Sequence, residues 1–167
     1  VKIIVSPDSF KGSLSATDAA KIMADAIHEM DKKIETVLLP VADGGEGTLE
    51  PLINATNGKL ECVKVQDPLG RTINAEYGIL GDGETCMIEM AKASGLTLLS
   101  PDERNPLVAS TFGTGQLILH ALNAGYRKFV IGIGGSATND GGTGMLRALG
   151  MKFLDAQGQE LAEGAQP

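Results

Sequence analysis

The sequence predicts an α/β fold, with a Rossmann-like parallel layer followed by a second, mixed α/β region that has antiparallel strands. Apolar runs alternate with helical periodicity through residues 1–60, a pattern typical of a parallel α/β layer. From residue 59, three strand-like runs follow one another with only turn signals between them, which is typical of an antiparallel meander. We therefore expect residues 1–60 to start a Rossmann-like domain and residues 61–167 to form a mixed second domain.

Two strands and two helices are predicted for the first layer. Residues 2–6 and 34–39 are short apolar runs, which favour buried parallel strands. Ser15 and Asp18 resemble a capping box, so the first helix is expected to begin there. Residues 44–47 are expected to open the second helix, which continues to about residue 56.

The second region is predicted to mix strands and helices. Its strands occupy residues 59–66, 72–80 and 85–89, and helical periodicity returns at residues 115–123. A further strand at residues 128–133 is expected to bring this region back to a sheet shared with the first layer. The last residues begin a hairpin and stop, so the second domain is expected to be incomplete at its C-terminus.

Composition and charge argue against several function classes. A net charge of −7 and a pI of about 4.8 disfavour a broad basic surface, so no nucleic-acid partner is expected. Cys62 and Cys86 form no C-x-x-C pair, which favours reduced thiols in a cytoplasmic protein. No apolar run approaches the roughly 18 residues of a membrane span, so no membrane contact is expected. The sequence leaves open whether the protein forms a homo-oligomer.

Residues 132–142, GIGGSATNDGG, form a glycine-rich loop after an apolar strand, and three kinds of site compete for it. A P-loop is excluded because no lysine follows the glycines. Residues 132–137 fit the dinucleotide fingerprint G-x-G-x-x-A, and Asp155 lies about 20 residues further on, so a dinucleotide-dependent dehydrogenase stays an alternative. Against it, Gly141 and Gly142 fall where the helix should run, and each glycine there costs roughly 1 kcal/mol relative to alanine.

The third interpretation of this loop is an anion-binding site. Glycines let backbone N–H groups converge on an oxyanion, and side-chain hydroxyls and an amide add further donors. The predicted phosphate-binding residues are Gly134, Gly135, Ser136, Thr138 and Asn139. An aspartate among phosphate donors would repel the ligand unless it faced a metal ion or a substrate hydroxyl, which makes Asp140 a candidate Mg²⁺ ligand. The structural alternative is a tight strand-to-helix turn in which Asn139 or Asp140 is the N-cap.

Two more polar loops leave predicted strands at the edge where ligands bind in open α/β sheets. Asp43 and Glu46 stand among three glycines, and such carboxylates suit a hydrated Mg²⁺ ion or a general base. Lys11 follows the first strand and offers a positive charge for a phosphate. Each has a structural alternative, since first-turn acids favour a helix start and a lysine before a helix is commonly a surface residue.

The strongest motifs of the sequence are seven stretches: PDSFKGSLSA, PVADGGEGT, DPLGR, IEMAKASGL, ERNPL, TFGTGQLI and IGIGGSATNDGGTGML. Together they closely resemble the bacterial glycerate kinases of the glyoxylate and glucarate utilisation type, in order from residue 2 to about residue 160. Members of that family continue past this C-terminus, so the chain looks like their N-terminal portion. The resemblance implies phosphoryl transfer from Mg·ATP to a hydroxyl of D-glycerate, which gives ADP and 2-phosphoglycerate or 3-phosphoglycerate.

The resemblance also lets chemistry be assigned to the marked positions. Lys11 and the loop of residues 134–138 are expected to contact phosphates. Asp43 is expected to serve as the base or as a Mg²⁺ ligand, with Glu46 and Asp140 behind it. ATP and Mg²⁺ are therefore the expected cofactors.

The carboxylate of glycerate calls for a bidentate partner, which Arg71 or Arg104 is expected to provide. Ser94 is expected to add a hydrogen-bond donor for the substrate. A solvent-exposed loop arginine and a plain turn are the respective structural alternatives. The non-enzymatic alternative for the whole chain is a phosphate- or carboxylate-binding module whose catalytic half is lost.

Overall fold

The fold of residues 1–165, as described by a computed structural model, contains six strands in two sheets and five α-helices. The strands are β1 (Lys2–Val5), β2 (Glu35–Leu38), β3 (Lys59–Gln66), β4 (Thr72–Ile79), β5 (Thr85–Glu89) and β6 (Lys128–Gly132). The helices are α1 (Ala16–Met30), α2 (Leu49–Thr56), α3 (Ala91–Ser94), α4 (Phe112–Asn123) and α5 (Thr143–Ala148). Strands β1 and β2 form a parallel pair, and the second sheet has the order β3-β4-β5-β6. The predicted class, a parallel layer with a mixed α/β region, is confirmed.

The mixed sheet combines an antiparallel meander with one parallel strand. Strands β3, β4 and β5 pair antiparallel, as predicted, and β6 pairs parallel to β5. The expected return of β6 to the sheet of the first layer is wrong, because α4 packs on the mixed sheet and the crossover places β6 beside β5. The core lies between this sheet and α3 and α4 and consists of Val65, Ala75, Tyr77, Ile79, Cys86, Ile88, Ala93, Leu117, Ile118 and Ala121.

The first layer is less completely covered. Helix α1 contacts both strands of the pair, and Ser15 is its N-cap, with its side chain accepting a hydrogen bond from the N–H of Asp18 as predicted. Val5 is buried, whereas Ile4 on the opposite face of the same strand is 63% exposed. The parallel pairing is therefore confirmed, but burial on both faces is not, because α1 covers one face only.

Helix α2 differs from its prediction in both start and location. It begins at Leu49, and residues 44–47 form a turn in which Gly44 and Gly47 adopt left-handed φ angles of +87°. Its buried residues Leu49 and Ile53 pack against Met87 of the mixed sheet. The domain boundary near residue 60 stays a prediction, and the last two residues of the second domain lie outside the described residues.

Two further properties bear on the predictions made from composition. Both Cys62 and Cys86 are free thiols. No helix within residues 1–165 is long and apolar enough to pass through a membrane. The cytoplasmic location stays a prediction.

Candidate active site

Two glycine-rich segments meet through their backbones at the C-terminal ends of the strands. We call residues 43–47 the acidic turn and residues 133–142 the hydroxyl loop. The N–H of Gly134 donates to the carbonyl oxygen of Gly44 at 3.0 Å. A Cβ atom on Gly134 would lie 2.7 Å from the backbone of Gly45, and one on Gly132 would lie 2.5 Å from the Gly44 oxygen. Only glycine permits so close an approach, so these positions fix the distance between the two segments.

Lys11 and Asp43, predicted from separate loops, form an ion pair. The segment after β2 continues beside the end of β1, where the N–H of Val41 donates to the carbonyl oxygen of Pro7. This places the Asp43 carboxylate within 2.8 Å of the Lys11 ammonium, with both side chains more than half exposed. The other carboxylate oxygen of Asp43 accepts the N–H of Gly45 at 2.9 Å.

The pair is charged at neutral pH. The hydrogen bond from Lys11, and after it the Gly45 N–H, holds the pKa of Asp43 below its ordinary value of 3.8. The hydrogen bond to Asp43 and its negative charge raise the pKa of Lys11 above the ordinary value for a lysine. Asp43 is therefore an ionised, accessible carboxylate.

A cavity of about 270 Å³ opens beside this pair. Lys11, Glu46 and hydroxyl groups of the loop before α1 line it, including those of Ser9, Ser13 and Ser15. Glu46 is exposed in the same turn as Asp43. The cavity thus combines one ammonium, one carboxylate and several hydroxyls, a donor set suited to a small polar anion and a hydrated cation.

Asp140, the third predicted Mg²⁺ ligand, has a different environment. It is buried, and one of its oxygens accepts the N–H and the hydroxyl of Thr111 at 2.9 and 2.8 Å and the N–H of Gly144 at 3.1 Å. Its other oxygen accepts the N–H of Gly142 at 3.0 Å. Among residues 1–165, no three acidic, histidine or cysteine side chains gather closely enough to hold a metal ion. The structure therefore does not bring Asp140 together with Asp43 and Glu46.

The hydroxyl loop presents unpaired donors. Gly135 has a left-handed φ of +72°, and neither its N–H nor that of Ser136 has an acceptor in the described part of the chain. The Ser136 hydroxyl bonds Thr138 at 2.7 Å and accepts its N–H at 3.0 Å, which stiffens the loop. Asn139 is exposed. Successive free N–H groups around a left-handed residue are a common arrangement for anion binding.

The two arginines predicted for the substrate carboxylate differ in availability. Arg71 forms ion pairs with the buried Asp67 at 2.5 Å and with Glu103 at 2.6 Å. Those hydrogen bonds also raise the pKa of Arg71. Arg104 is exposed and forms no ion pair within residues 1–165. Of the two guanidinium groups, that of Arg104 is therefore the one without an acidic partner among the described residues.

Ser94 is a buried residue that is hydrogen-bonded to the hydroxyl loop through its backbone. Its side chain is fully buried, and its hydroxyl lies 2.7 Å from that of Thr114. Its carbonyl oxygen accepts the N–H of Ala137 at 2.9 Å. The hydroxyl predicted to donate to substrate is therefore already bonded inside the protein.

Sequence reasoning missed Glu89, the last residue of β5. Its carboxylate is completely buried and accepts the N–H of Gly47 at 3.1 Å and that of Leu49 at 3.0 Å. The available signal was a carboxylate that ends an otherwise apolar strand, at the edge where the polar loops gather.

The dinucleotide fingerprint is contradicted by the backbone. Such a site needs a helix that begins within the glycine motif, so that its N-terminus faces the pyrophosphate. Here the chain stays irregular after β6, and helix α5 begins only at Thr143. The match of residues 132–137 to that motif is therefore fortuitous.

Comparison with known proteins agrees with this geometry. Residues 3–167 match a family model described as "Glycerate kinase family". The chain is 52% identical over 164 residues to glycerate kinase from Bacillus subtilis (strain 168), and 51% identical over 164 residues to glycerate 2-kinase from Escherichia coli (strain K12). Each alignment covers 98% of this chain and 43% of the relative, so the chain spans less than half the length of these relatives.

A solved structure is also similar. The crystal structure of a protein provisionally named glycerate kinase 2, from Salmonella typhimurium LT2, superposes with a TM-score of 0.81 and 49% sequence identity. The superposition covers 98% of this chain and 44% of that one. The likeness therefore extends over both sheets and both glycine-rich segments.

Proposed function

Because the chain belongs to the glycerate kinase family, we propose that the protein transfers the γ-phosphoryl group of Mg·ATP to a hydroxyl of D-glycerate. The observation that carries the proposal is the Lys11–Asp43 ion pair and its surroundings. The turn that contains Asp43 contacts a loop with free N–H donors, at a distance that only glycine permits. Phosphoryl transfer depends mostly on positioning and on neutralising charge, and these groups supply both.

The phosphate contacts come from two directions. Lys11 offers a positive charge at the 270 Å³ cavity, and the free N–H groups of Gly135 and Ser136 offer neutral donors on the hydroxyl loop. The exposed amide of Asn139 adds a donor at the end of the same loop. Together they would bind phosphate oxygens without a broad basic surface, which the net charge of −7 does not provide.

Asp43 is the residue we assign to the proton. The hydroxyl oxygen of glycerate forms a bond to the γ-phosphorus, the bond from that phosphorus to the bridging oxygen of ADP breaks, and the hydroxyl proton passes to Asp43. Its lowered pKa keeps the carboxylate ionised at neutral pH, so it is ready to accept the proton. A weak base suffices because little proton transfer is needed before the phosphoryl group departs.

Asp43 and Glu46 fit a Mg²⁺ ion better than the predicted set of three. Mg²⁺ in kinases is commonly held by one or two carboxylates together with substrate phosphates, and both side chains are exposed in one turn. Asp140 is left out because its side chain is buried and accepts four hydrogen bonds, whereas the side chains of Asp43 and Glu46 are exposed. When bound, the ion would neutralise charge on the β- and γ-phosphates.

The acceptor hydroxyl and the partner of the substrate carboxylate are also part of the proposal. The name of the Escherichia coli relative, glycerate 2-kinase, supports the 2-hydroxyl as the acceptor, with 2-phosphoglycerate as product. Arg104 is our candidate for the substrate carboxylate because no acidic partner occupies it. We place this activity in the cytoplasm, with ATP and D-glycerate as the binding partners.

Phosphorus NMR tests the proposal. Because the chain spans 43% of its relatives' length, the assay uses both the 167-residue chain and a chimera in which it replaces the matching segment of the Bacillus subtilis relative. We expect the chimera to form a phosphomonoester only when both Mg·ATP and D-glycerate are present. The coupling of the phosphorus signal to neighbouring hydrogens then identifies which hydroxyl of glycerate was phosphorylated. Nucleotide binding without any product would favour the non-catalytic binding module.

A further inference from the structure

Glu89 is a buried carboxyl group whose only partners among the described residues are two backbone N–H groups. Its side chain is completely buried, and each oxygen accepts one hydrogen bond, from Gly47 and from Leu49. A buried carboxylate is costly unless it is hydrogen-bonded, so both bonds are needed to keep it there. Gly47 lies in the acidic turn, 42 positions before Glu89 in the chain, and Leu49 is the first residue of α2.

The segment that begins at Glu89 also holds the hydroxyl loop. The N–H of Met90 donates to Gly132 at 2.9 Å, and the N–H of Leu96 donates to Gly135 at 2.9 Å. The carbonyl oxygen of Ser94 accepts the N–H of Ala137. Residues 89–96 are therefore bonded to both glycine-rich segments, to one through a side chain and to the other through the backbone.

A second turn in the chain shows what Glu89 changes. In the sequence DGGTGM, Asp140 accepts the N–H groups two and four residues further on, those of Gly142 and Gly144. In DGGEGT, Asp43 accepts only the N–H two residues on. The N–H four residues on, that of Gly47, donates to Glu89 instead. Glu89 thus accepts the hydrogen bond that, in the other turn, goes to the second oxygen of Asp140. The second oxygen of Asp43 instead accepts a hydrogen bond from Lys11.

We propose that Glu89 is a positioning residue for the phosphoryl transfer: it accepts the inner hydrogen bonds of the acidic turn, so that the second oxygen of Asp43 stays at the exposed surface beside Lys11 and is not drawn into its own turn. The inference rests on the proposed function. Glutamine at this position would have one acceptor oxygen and an NH₂ group facing an N–H donor, so one of the two bonds would be lost. Asp43 would then be drawn into its own turn, as Asp140 is.

The first test uses amide NMR and hydrogen exchange on the 167-residue chain. In Glu89→Gln, we expect exchange at Gly47 and Leu49 to accelerate about tenfold or more, and the Gly45 amide resonance to shift as Asp43 changes its hydrogen bonds. The matched control is Glu50→Gln, an exposed acid in the first turn of α2, which should leave these amides unchanged. Faster exchange at Leu49 with an unchanged Gly45 resonance would reduce Glu89 to a helix cap and overturn the proposal.

Wild-type protein provides an independent test if the variant does not fold. In the wild-type chain, the Gly47 and Leu49 amides should be protected from hydrogen exchange to the level of the β5 amides, because their acceptor Glu89 is fully buried. Exchange as fast as that of an exposed loop would contradict the proposal.

Kinetics of the chimera supply the functional readout. Glu89→Gln should lower kcat about 10- to 100-fold and change KM for D-glycerate less than about twofold, because a displaced catalytic group affects the transition state more than binding. A raised KM with unchanged kcat would overturn the positioning role. An inactive parent chimera would count against the kinase activity alone, since the amide measurements do not depend on turnover.

Discussion

The acidic turn and the turn that begins at Asp140 share the sequence D-G-G-x-G and both precede a helix, yet their aspartates have opposite environments. Asp43 is half-exposed and forms an ion pair with Lys11. Asp140 is buried, and both of its oxygens accept hydrogen bonds from the protein. The same local sequence therefore yields one carboxylate available to a substrate and one that holds the fold.

The difference arises from what packs on each turn. The start of α4 covers Asp140 and contributes the N–H and hydroxyl of Thr111. The acidic turn instead lies over the end of β5, where Glu89 is the buried acceptor. The environment of each turn, and not its motif, thus makes Asp43 accessible and Asp140 buried.

The largest expected effect follows from Asp140→Ala. Four donors, three of them backbone N–H groups, lose their acceptor in a buried site, and the free energy of unfolding should fall by about 3 to 5 kcal/mol. Urea denaturation measures it. The control is Asp82→Ala, which removes three similar bonds in an exposed turn and should cost much less. Equal losses would show that burial of Asp140 is unimportant.

Gly134→Ala should have the next largest effect. The new Cβ would meet the backbone of Gly45 at 2.7 Å, which neither segment can avoid without moving apart, and the expected loss is about 1 to 3 kcal/mol. Gly158→Ala, at a left-handed position with open space around it, reports the cost of backbone strain alone. Chemical-shift changes at Gly44 and Gly45 should accompany only the first variant, and their absence would mean that the contact is not tight.

Lys11→Met should have the smallest effect on stability but a clear one on titration. Without the ammonium, the pKa of Asp43 should rise toward 3.8, as measured by carbon NMR. The sign follows from linkage: a lowered pKa stabilises the fold above pH 3.8, and this contribution disappears as the pH falls through the pKa of the folded state. Lys2→Met breaks an exposed pair with Glu35 and should leave Asp43 unchanged. An unmoved pKa in Lys11→Met would contradict the pairing.

Local signals in the sequence predicted much of the fold. The bounds of β3 and β5 agree with the prediction because turn residues flank β3 on both sides, and a turn and a short apolar run mark β5. The start of α2 was misplaced because glycines that resemble a helix opening adopt left-handed angles instead. β6 was assigned to the wrong sheet because strand order depends on how α4 packs. Short-range sequence patterns carry no information about that packing.

The candidate site was only partly predictable for a similar reason. Strand ends pointed to Lys11 and Asp43, and their pairing then followed from the register of β1 and β2. The burial of individual side chains was not predictable: Asp140, a candidate Mg²⁺ ligand in the sequence, is buried, and the buried Glu89 was overlooked. Neither D-G-G turn carries a sequence signal for the donors or acceptors that distant segments bring to it.

The most direct test of this account is the turnover of Asp43→Asn in the chimera, followed by phosphorus NMR alongside its midpoint of urea denaturation. We predict that turnover of D-glycerate falls at least about 100-fold while the midpoint stays within error of the parent chimera, because Asp43 is exposed and is the proposed acceptor of the substrate proton. Turnover at the parent rate would contradict the assignment of the proton to Asp43. It would leave the acidic turn, like the turn at Asp140, as a structural feature only.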